Sequence, residues 1–436
     1  MKKILVVVGL VSTLCFGQKE SDFYKETNHL VSKTVDLVKD YKAKPNDGKD
    51  DSEKLQKAID DMSKQKNGGK IIIPKGVFML TNIKLKSNVH IEISPKAIIK
   101  PTTGSGTIFH LGLAAKGKLA LETIKNVSIR STNGKKYLVD MTAGSYRNKI
   151  AFVSCQNVKN FLVSDFNIKD NYSVLSSMLF NISKHNGQFF RPVNGVIKNG
   201  HTTGGHYGYG LIQAHAGIHI LFKDLSGEGG VTLRLETGSS FLVDAPQTMN
   251  LDSIYGRNIS IKNGHGGVLM GAHTRQNGYV NIDGVMAMSS TFAASMGTGF
   301  TTSTEKKKGH TPGGFSGTSI VKNVHAVFGI KAQLKHKNFK ILPCELHPLI
   351  SVKVNPDLMS YNGPSIVASI NKNPEVQFIN ITQEGFEFQP KAILVKEKKY
   401  KCNNTPNVEP SMNLQSFKDL DKAEAKYLKE REKRKL

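Results

Sequence analysis

Between Gly210 and Arg275 lie three short segments bounded by glycines, residues 211–215 (LIQAH), 231–237 (VTLRLET) and 268–274 (VLMGAHT), that read as successive rungs of one sheet. Side chains two apart on a strand share a face, so Gln213 goes with His215, Arg234 with Glu236 and Gly271 with His273. Parallel stacking of the rungs predicts one outward column of His215, Glu236 and His273 beside another of Gln213, Arg234 and Gly271. Any one of these polar residues alone reads more readily as ordinary surface. Four kinds of hydrogen-bonding side chain converging beside open glycine positions, with a single carboxylate among them, point instead to a binding groove.

A stack of rungs requires a repeating chain. Apolar runs preceded by asparagine recur at Asn126, Asn160, Asn258 and Asn323, with further runs at 218–222, 279–282 and 376–379. The closer intervals, about 20 to 40 residues, suit solenoid coils with loop insertions better than a sandwich. Asparagines ahead of the strands belong at coil corners, where left-handed backbone and side-chain ladders are useful. The 40 glycines and the absence of tryptophan agree with an all-β chain turning tight corners. Two stretches break the rhythm and are expected to edge the groove: 301–317, carrying Lys306, Lys307 and Lys308, and 335–364, containing Cys344. Beyond 390 the pattern fades into a basic tail, 391–436, with a charged helical segment at 416–436.

At the other end, a lead-in over 18–45 precedes a helix predicted from Asp50, which forms a capping-box pattern with Glu53. Leu55, Ala58, Ile59 and Met62 give it one apolar stripe, and Asn67, Gly68 and Gly69 end it before a strand starting at Lys70. Such a helix can cover the open apolar end of a solenoid. The run over 45–100, DGKDDSEKLQKAIDDMSKQKNGGKIIIPKG and onward, resembles the N-terminal cap and first coils of the pectin-lyase-like right-handed β-helices, which include polygalacturonases. The resemblance implies a single right-handed parallel β-helix over 46–390 with an N-terminal capping helix; it implies no particular reaction.

Residues 1–17 read as a secretion signal, with Lys2 and Lys3 ahead of an apolar run and cleavage expected before Gln18. The protein is therefore expected to be secreted or periplasmic, with no membrane contact after cleavage. Cys155, Cys344 and Cys402 would then remain. Cys155 sits in an apolar strand and reads as a buried thiol, while the spacing of Cys344 and Cys402 neither requires nor forbids a bridge. The formal net charge of +25 calls for a polyanionic partner. Export and the lack of any nucleic-acid motif favour a sulfated or carboxylated polysaccharide over nucleic acid.

Cleaving a glycosidic bond takes one carboxyl as proton donor and a second group to activate water or act as nucleophile. Glu236 is the only carboxylate of the three rungs. Arg234 can clamp an oxyanion, and Gln213 and His215 can position hydroxyls or a water. The segments around Gln213, His215, Arg234, Glu236 and His273 resemble the active-site region of the iota-carrageenases of glycoside hydrolase family 82, secreted enzymes that cut β-1,4 linkages of a sulfated galactan with inversion. The resemblance implies that Glu236 is the proton donor and that Gln213 and His273 support it; Arg234, His215 and Arg275 are expected to contact substrate. It departs at Gly238, where the family pattern has an aspartate base. Glu228, Asp244 and Glu305 are the substitute bases to consider. Two alternatives stand beside this: a sulfated-polysaccharide-binding β-helix without turnover, and a polygalacturonase, for which Gly264-His265-Gly266 is the one suggestive motif. No cofactor is expected to be required; a structural calcium, sodium or chloride ion and the oligomeric state, with a monomer favoured, are left open.

Overall fold

The computed structural model describes residues 18–112, 122–142, 148–238, 240–396 and 398–408. The expected signal at 1–17 and the helical tail at 416–436 lie outside them.

Within these residues the chain winds into a parallel β-helix. A representative coil runs along residues 217–223, turns at Asp224, continues through 225–228, turns at Gly229 and Gly230, and ends along 231–236. Each segment pairs in parallel with the coils before and after it. Ile220 lies between Gly195 and Ile254, Leu225 between Gly200 and Ile259, and Leu233 between Ile212 and Val268. The coil thus has three faces, and the last of them carries the polar strip.

The corners explain the asparagines. Asn88, Asn126 and Asn160 have φ of 60°, 58° and 58°, in the left-handed region that asparagine tolerates better than most residues. Their amides form a ladder, Asn126 Nδ2 donating to Asn88 Oδ1 at 2.9 Å and Asn160 Nδ2 to Asn126 Oδ1 at 2.8 Å. Asn380, Asn323 and Asp283 make a second ladder at 2.7 Å per step. Inside, inward-pointing side chains stack coil upon coil: Phe152 lies 5.7 Å from Phe109 and 5.9 Å from Phe166, ring centre to ring centre. Fully burying each such ring stabilises the coil by about 1.5–3 kcal/mol.

The N-terminal end is closed by the helix Ser52–Ser63, whose Leu55, Ala58, Ile59 and Met62 are fully buried. Its start departs from expectation. Asp51, not Asp50, is the N-cap, and no capping box forms, because the Asp51 carboxylate turns away to accept the Lys44 backbone N–H. The lead-in also joins the sheet, since Lys33–Asp36 pairs with Gly69–Ile73.

Both interruptions lie where they can flank the third face. Near the first, Thr302 and Glu305 make a reciprocal capping box on the short helix Ser303–Lys307. The second carries the helix His336–Phe339 and a 3-10 turn Cys344–Leu349, beside a hairpin pairing Ala332–Leu334 with Tyr361–Gly363. Phe339, Leu342, Leu346 and Tyr361 give it a small core of its own. A disulfide joins Cys344 to Cys402, and Tyr400 N–H donates to Lys340 O at 2.7 Å, so the segment after the last coil is fastened to this insertion. Cys155 is a buried free thiol. No helix among the described residues is long and apolar enough to cross a membrane.

Candidate active site

The third face brings Gln213, Arg234 and Glu236 together as their alternation requires. Gln213 pairs directly with Arg234, and the next outward positions are His215 and Glu236. The third rung, however, is set two residues from the expected register. Glu236 pairs with Gly271 and Arg234 with Leu269, so His273 lies beyond the strand end. It returns to the site because its backbone turns left-handed, at φ 48°.

That turn places His273 Nε2 at 3.0 Å from Glu236 Oε1, while an Arg234 guanidinium nitrogen contacts the other carboxylate oxygen. Arg234 also donates to Gly208 O, and its Nε is buried without a hydrogen-bond partner. Behind the carboxylate, His215 Nδ1 donates to the Glu236 backbone carbonyl at 2.6 Å. The three side chains Arg234, Glu236 and His273 are 20%, 16% and 19% exposed, enough to be reached from solvent but largely shielded from it. Burial alone would raise the Glu236 carboxyl. The Arg234 charge, the His273 hydrogen bond and the charges of His273 and His215 outweigh it and hold Glu236 at about 2. Burial lowers His215 to about 4, which keeps it neutral at neutral pH.

Gly238 stands beside the His273 ring. A Cβ there would come within 2.3 Å of ring atoms, so the imidazole fills the space a larger side chain would need. Phe300 packs against the same ring, with ring centres 4.4 Å apart, and Phe300 N–H donates to His273 O at 3.0 Å. This contact ties the loop of residues 297–313 to the strip, where a stretch at 301–317 was expected to edge the groove, although Phe300 itself was not singled out. Lys335, also missed, reaches in from the insertion with its ammonium 5.0 Å above the Tyr207 ring. Burial, with the charges of Lys337 and Arg234 nearby, lowers it to about 8.

The remaining candidates separate. Arg275 was expected to meet substrate but is only 1% exposed. Its Nη1 donates to Ala245 O and Pro246 O, so it staples the 240–250 loop from beneath. Glu228 accepts from Asn263 Nδ2 at 3.0 Å and lines a different cavity, with Tyr172 and Lys331. Asp244 is exposed and paired with Lys308 at 2.9 Å, linking two loops. Glu305 sits on the loop beside the site, where the charge of His273 helps to lower its carboxyl against the effect of burial. His265 is buried between Tyr207 and Phe292 and serves as a packing residue at a corner. Among the described residues no group of three or more His, Cys, Asp or Glu is placed to hold a metal ion.

Comparison with known proteins agrees with the fold. Residues 37–268 match the family model described as rhamnogalacturonase A/epimerase, pectate lyase-like. An iota-carrageenase of Zobellia galactanivorans is 32% identical over 406 residues, covering 80% of this chain and 81% of that protein. An iota-carrageenase of Alteromonas macleodii is 33% identical over 301 residues; the match takes in 67% of this chain and 59% of the relative's length, less than two thirds of it. Among solved structures, a galactohydrolase named for galactose-4-sulfate and 3,6-anhydrogalactose-2-sulfate units superposes with a TM-score of 0.79 at 27% identity, over 92% of this chain and 97% of its own. An iota-carrageenase complexed to iota-carrageenan fragments gives 0.78 at 26% identity, over 91% and 96%. The fold is thus the right-handed parallel β-helix.

Proposed function

The chain belongs to the iota-carrageenase family, and from that premise we propose that it is an exported, endo-acting glycoside hydrolase cutting the β-1,4 linkages of a sulfated galactan, foremost iota-carrageenan, with inversion. The observation that carries this reading is the Arg234–Glu236–His273 cluster, opening onto the bare Gly271 position beside it. Export rests on the signal-like residues 1–17.

In this mechanism Glu236 donates a proton to the glycosidic oxygen as the C1–O bond breaks. Water attacks C1 from the opposite face and gives up a proton to a base. In the ligand-free protein Glu236 is a carboxylate, held so by Arg234 and His273. A substrate sulfate offers Arg234 a better-matched oxyanion. Once the guanidinium turns to that sulfate and the sugar displaces water, the carboxyl's proton affinity rises into the range of a general acid. His273 steers the carboxyl, and Gln213 orients the water. Of the substitute bases, Glu305 is favoured, because it sits on the loop beside the site and the charge of His273 acts on its carboxyl. The polygalacturonase alternative is not favoured: His265 is packed away from the strip, and the relatives are carrageenases.

The test is a reducing-end assay on iota-, kappa- and lambda-carrageenan, agarose and polygalacturonate, with proton NMR of the first-formed anomer. Release from iota-carrageenan with net inversion is expected. Ultraviolet-absorbing unsaturated products would replace the hydrolase by a lyase, and retention on carrageenan gel without any release would replace it by a binding protein.

A further inference from the structure

The first face of the solenoid, built from residues 217–223 and their partners in neighbouring coils, carries two outward columns side by side. One runs Val196, Leu221, Tyr255, Asn281, and the other Lys198, Lys223, Arg257, Asp283, Lys322. The short helix Glu20–Phe23 of the lead-in covers the start of both. Glu20 accepts from Lys198 and, at 2.8 Å, from Lys223, while Phe23 packs with Val196, Leu221 and Tyr255. Beyond this helix the columns continue into an open cavity of about 990 Å³, where Tyr255, Tyr279, Arg257 and Lys322 meet.

Lys19, Lys223, Arg257 and Lys322 line the cavity against two carboxylates, Glu20 and Asp283. Both acids are already engaged. Two lysines share Glu20, and Asp283 pairs with Lys322 at 3.2 Å and accepts from Asn323 at 2.7 Å. Arg257 lies 5.6 Å over the Tyr255 ring and donates to the backbone carbonyls of Gly256 and Asn281 at 2.7 and 2.8 Å. Those bonds orient the guanidinium without neutralising it, so the balance of charge favours an anion. The covered half shows the chemistry this surface takes: one carboxylate on the lysine column, one ring on the apolar column. A sulfated galactan offers the same pair, a sulfate ester and the C–H face of a sugar.

We propose that this cavity is a second binding site for the sulfated galactan, separate from the catalytic strip. Arg257 and Lys322 meet sulfate esters, and Tyr279 meets the ring that bears them. The chain turns twice between Lys223 and Val231, so a short ligand in the catalytic groove does not reach this face. The site anchors the enzyme to one stretch of polymer while another is cut. For the identity of its ligand the inference rests on the hydrolase reading above.

The experiment compares the full chain with Arg257→Gln, Lys322→Gln and Tyr279→Leu, singly and together, on iota-carrageenan gel and on a soluble iota-carrageenan octasaccharide. On the gel each single variant is expected to raise KM about 2-fold and the triple variant roughly 8-fold, with kcat near wild type and the loss shrinking as salt is raised. Kinetics on the octasaccharide are expected to be unchanged. In the Glu236→Gln background the triple variant should leave immobilised iota-carrageenan at lower salt than its parent. A control that removes two exposed charges elsewhere, Lys54→Gln with Lys96→Gln, should shift neither readout. Melting temperatures identify any variant that fails to fold, and Lys322→Gln, at a side chain 37% exposed, tests the site without touching the packed rings. Equal loss on gel and octasaccharide, or an equal shift in the control, overturns the second site and leaves the hydrolase reading standing. A dimer in sedimentation that the triple variant dissociates gives the face to a second copy and overturns it as well. Absence of hydrolysis by the wild type, with the elution shift intact, overturns the hydrolase reading and retains the site.

Discussion

His273 Nε2 lies 3.0 Å from Glu236 Oε1, and the same ring occupies the space into which a side chain at position 238 would grow. The hydrogen bond and the glycine are therefore one arrangement. Gly238 does not have a left-handed backbone, so its role here is room and not conformational freedom.

Gly238→Ala should accordingly push the imidazole off Glu236 without straining the chain. A drop in kcat of about 10-fold is expected, with a melting temperature close to wild type. Steady-state kinetics and a thermal melt check it, and full activity in this variant would show that the ring can move freely.

Glu236→Gln should lower kcat by about 10²–10⁴-fold, the span of a lost general acid. The carboxyl sits at about 2 in the folded protein against an ordinary value of 4.5. A depressed acid stabilises the fold above its unfolded value and loses that contribution as pH falls through its folded one. The wild type should therefore melt above the variant at pH 7, and the gap should close between about pH 4.5 and 2. Melting curves over that window provide the measurement.

Asp170 behaves in the opposite sense. Burial raises its carboxyl to about 7, against backbone N–H bonds from Asn171 and Ser173 that lower it. Its folded value lies above the unfolded one, so stability is greatest where both states are protonated and falls as pH rises towards 7. Asp170→Asn keeps an acceptor for those N–H groups and removes the buried charge. It should raise the melting temperature at pH 8 by more than at pH 4, and an equal change at both would contradict the assignment.

Cys344→Ser with Cys402→Ser should leave the coil stack intact and loosen the insertion, because the bridge fastens the terminal segment to it and to no coil of the solenoid. A bridge closing 58 residues is worth about 4 kcal/mol if the unfolded chain is its only reference. Here the effect should appear locally, as faster amide exchange over 335–364 and a higher KM on sulfated polymer. In the chain from Gln18 onward, thiol titration of the unreduced, denatured protein should find Cys155 alone.

Much of this was legible because a solenoid repeats its rules. Asparagine before four of the apolar runs signalled corners, and Asn126 and Asn160 occupy them with left-handed backbone. Period-two alternation put Gln213, Arg234 and Glu236 on one face, as the pairings have them. The third rung was misaligned for a definite reason. Val268 was matched to Val231, whereas Val231 pairs with Gly266 and Val268 with Leu233. A shift of two residues preserves which side chains face out, so the apolar pattern cannot detect it. Arg275 was misread because its burial depends on the 240–250 loop folding over it. Lys335 was invisible for a similar reason: an insertion's docking site leaves no periodic trace.

Glu236 and Lys372 share one column of the third face, separated by Gly271 and Gly297. Their spacing is therefore counted in whole strands, like marks on a ruler whose divisions are ~4.8 Å. Side-chain changes can blunt or sharpen either mark but cannot slide one towards the other. Adding or removing a complete coil between them would alter the separation by one division.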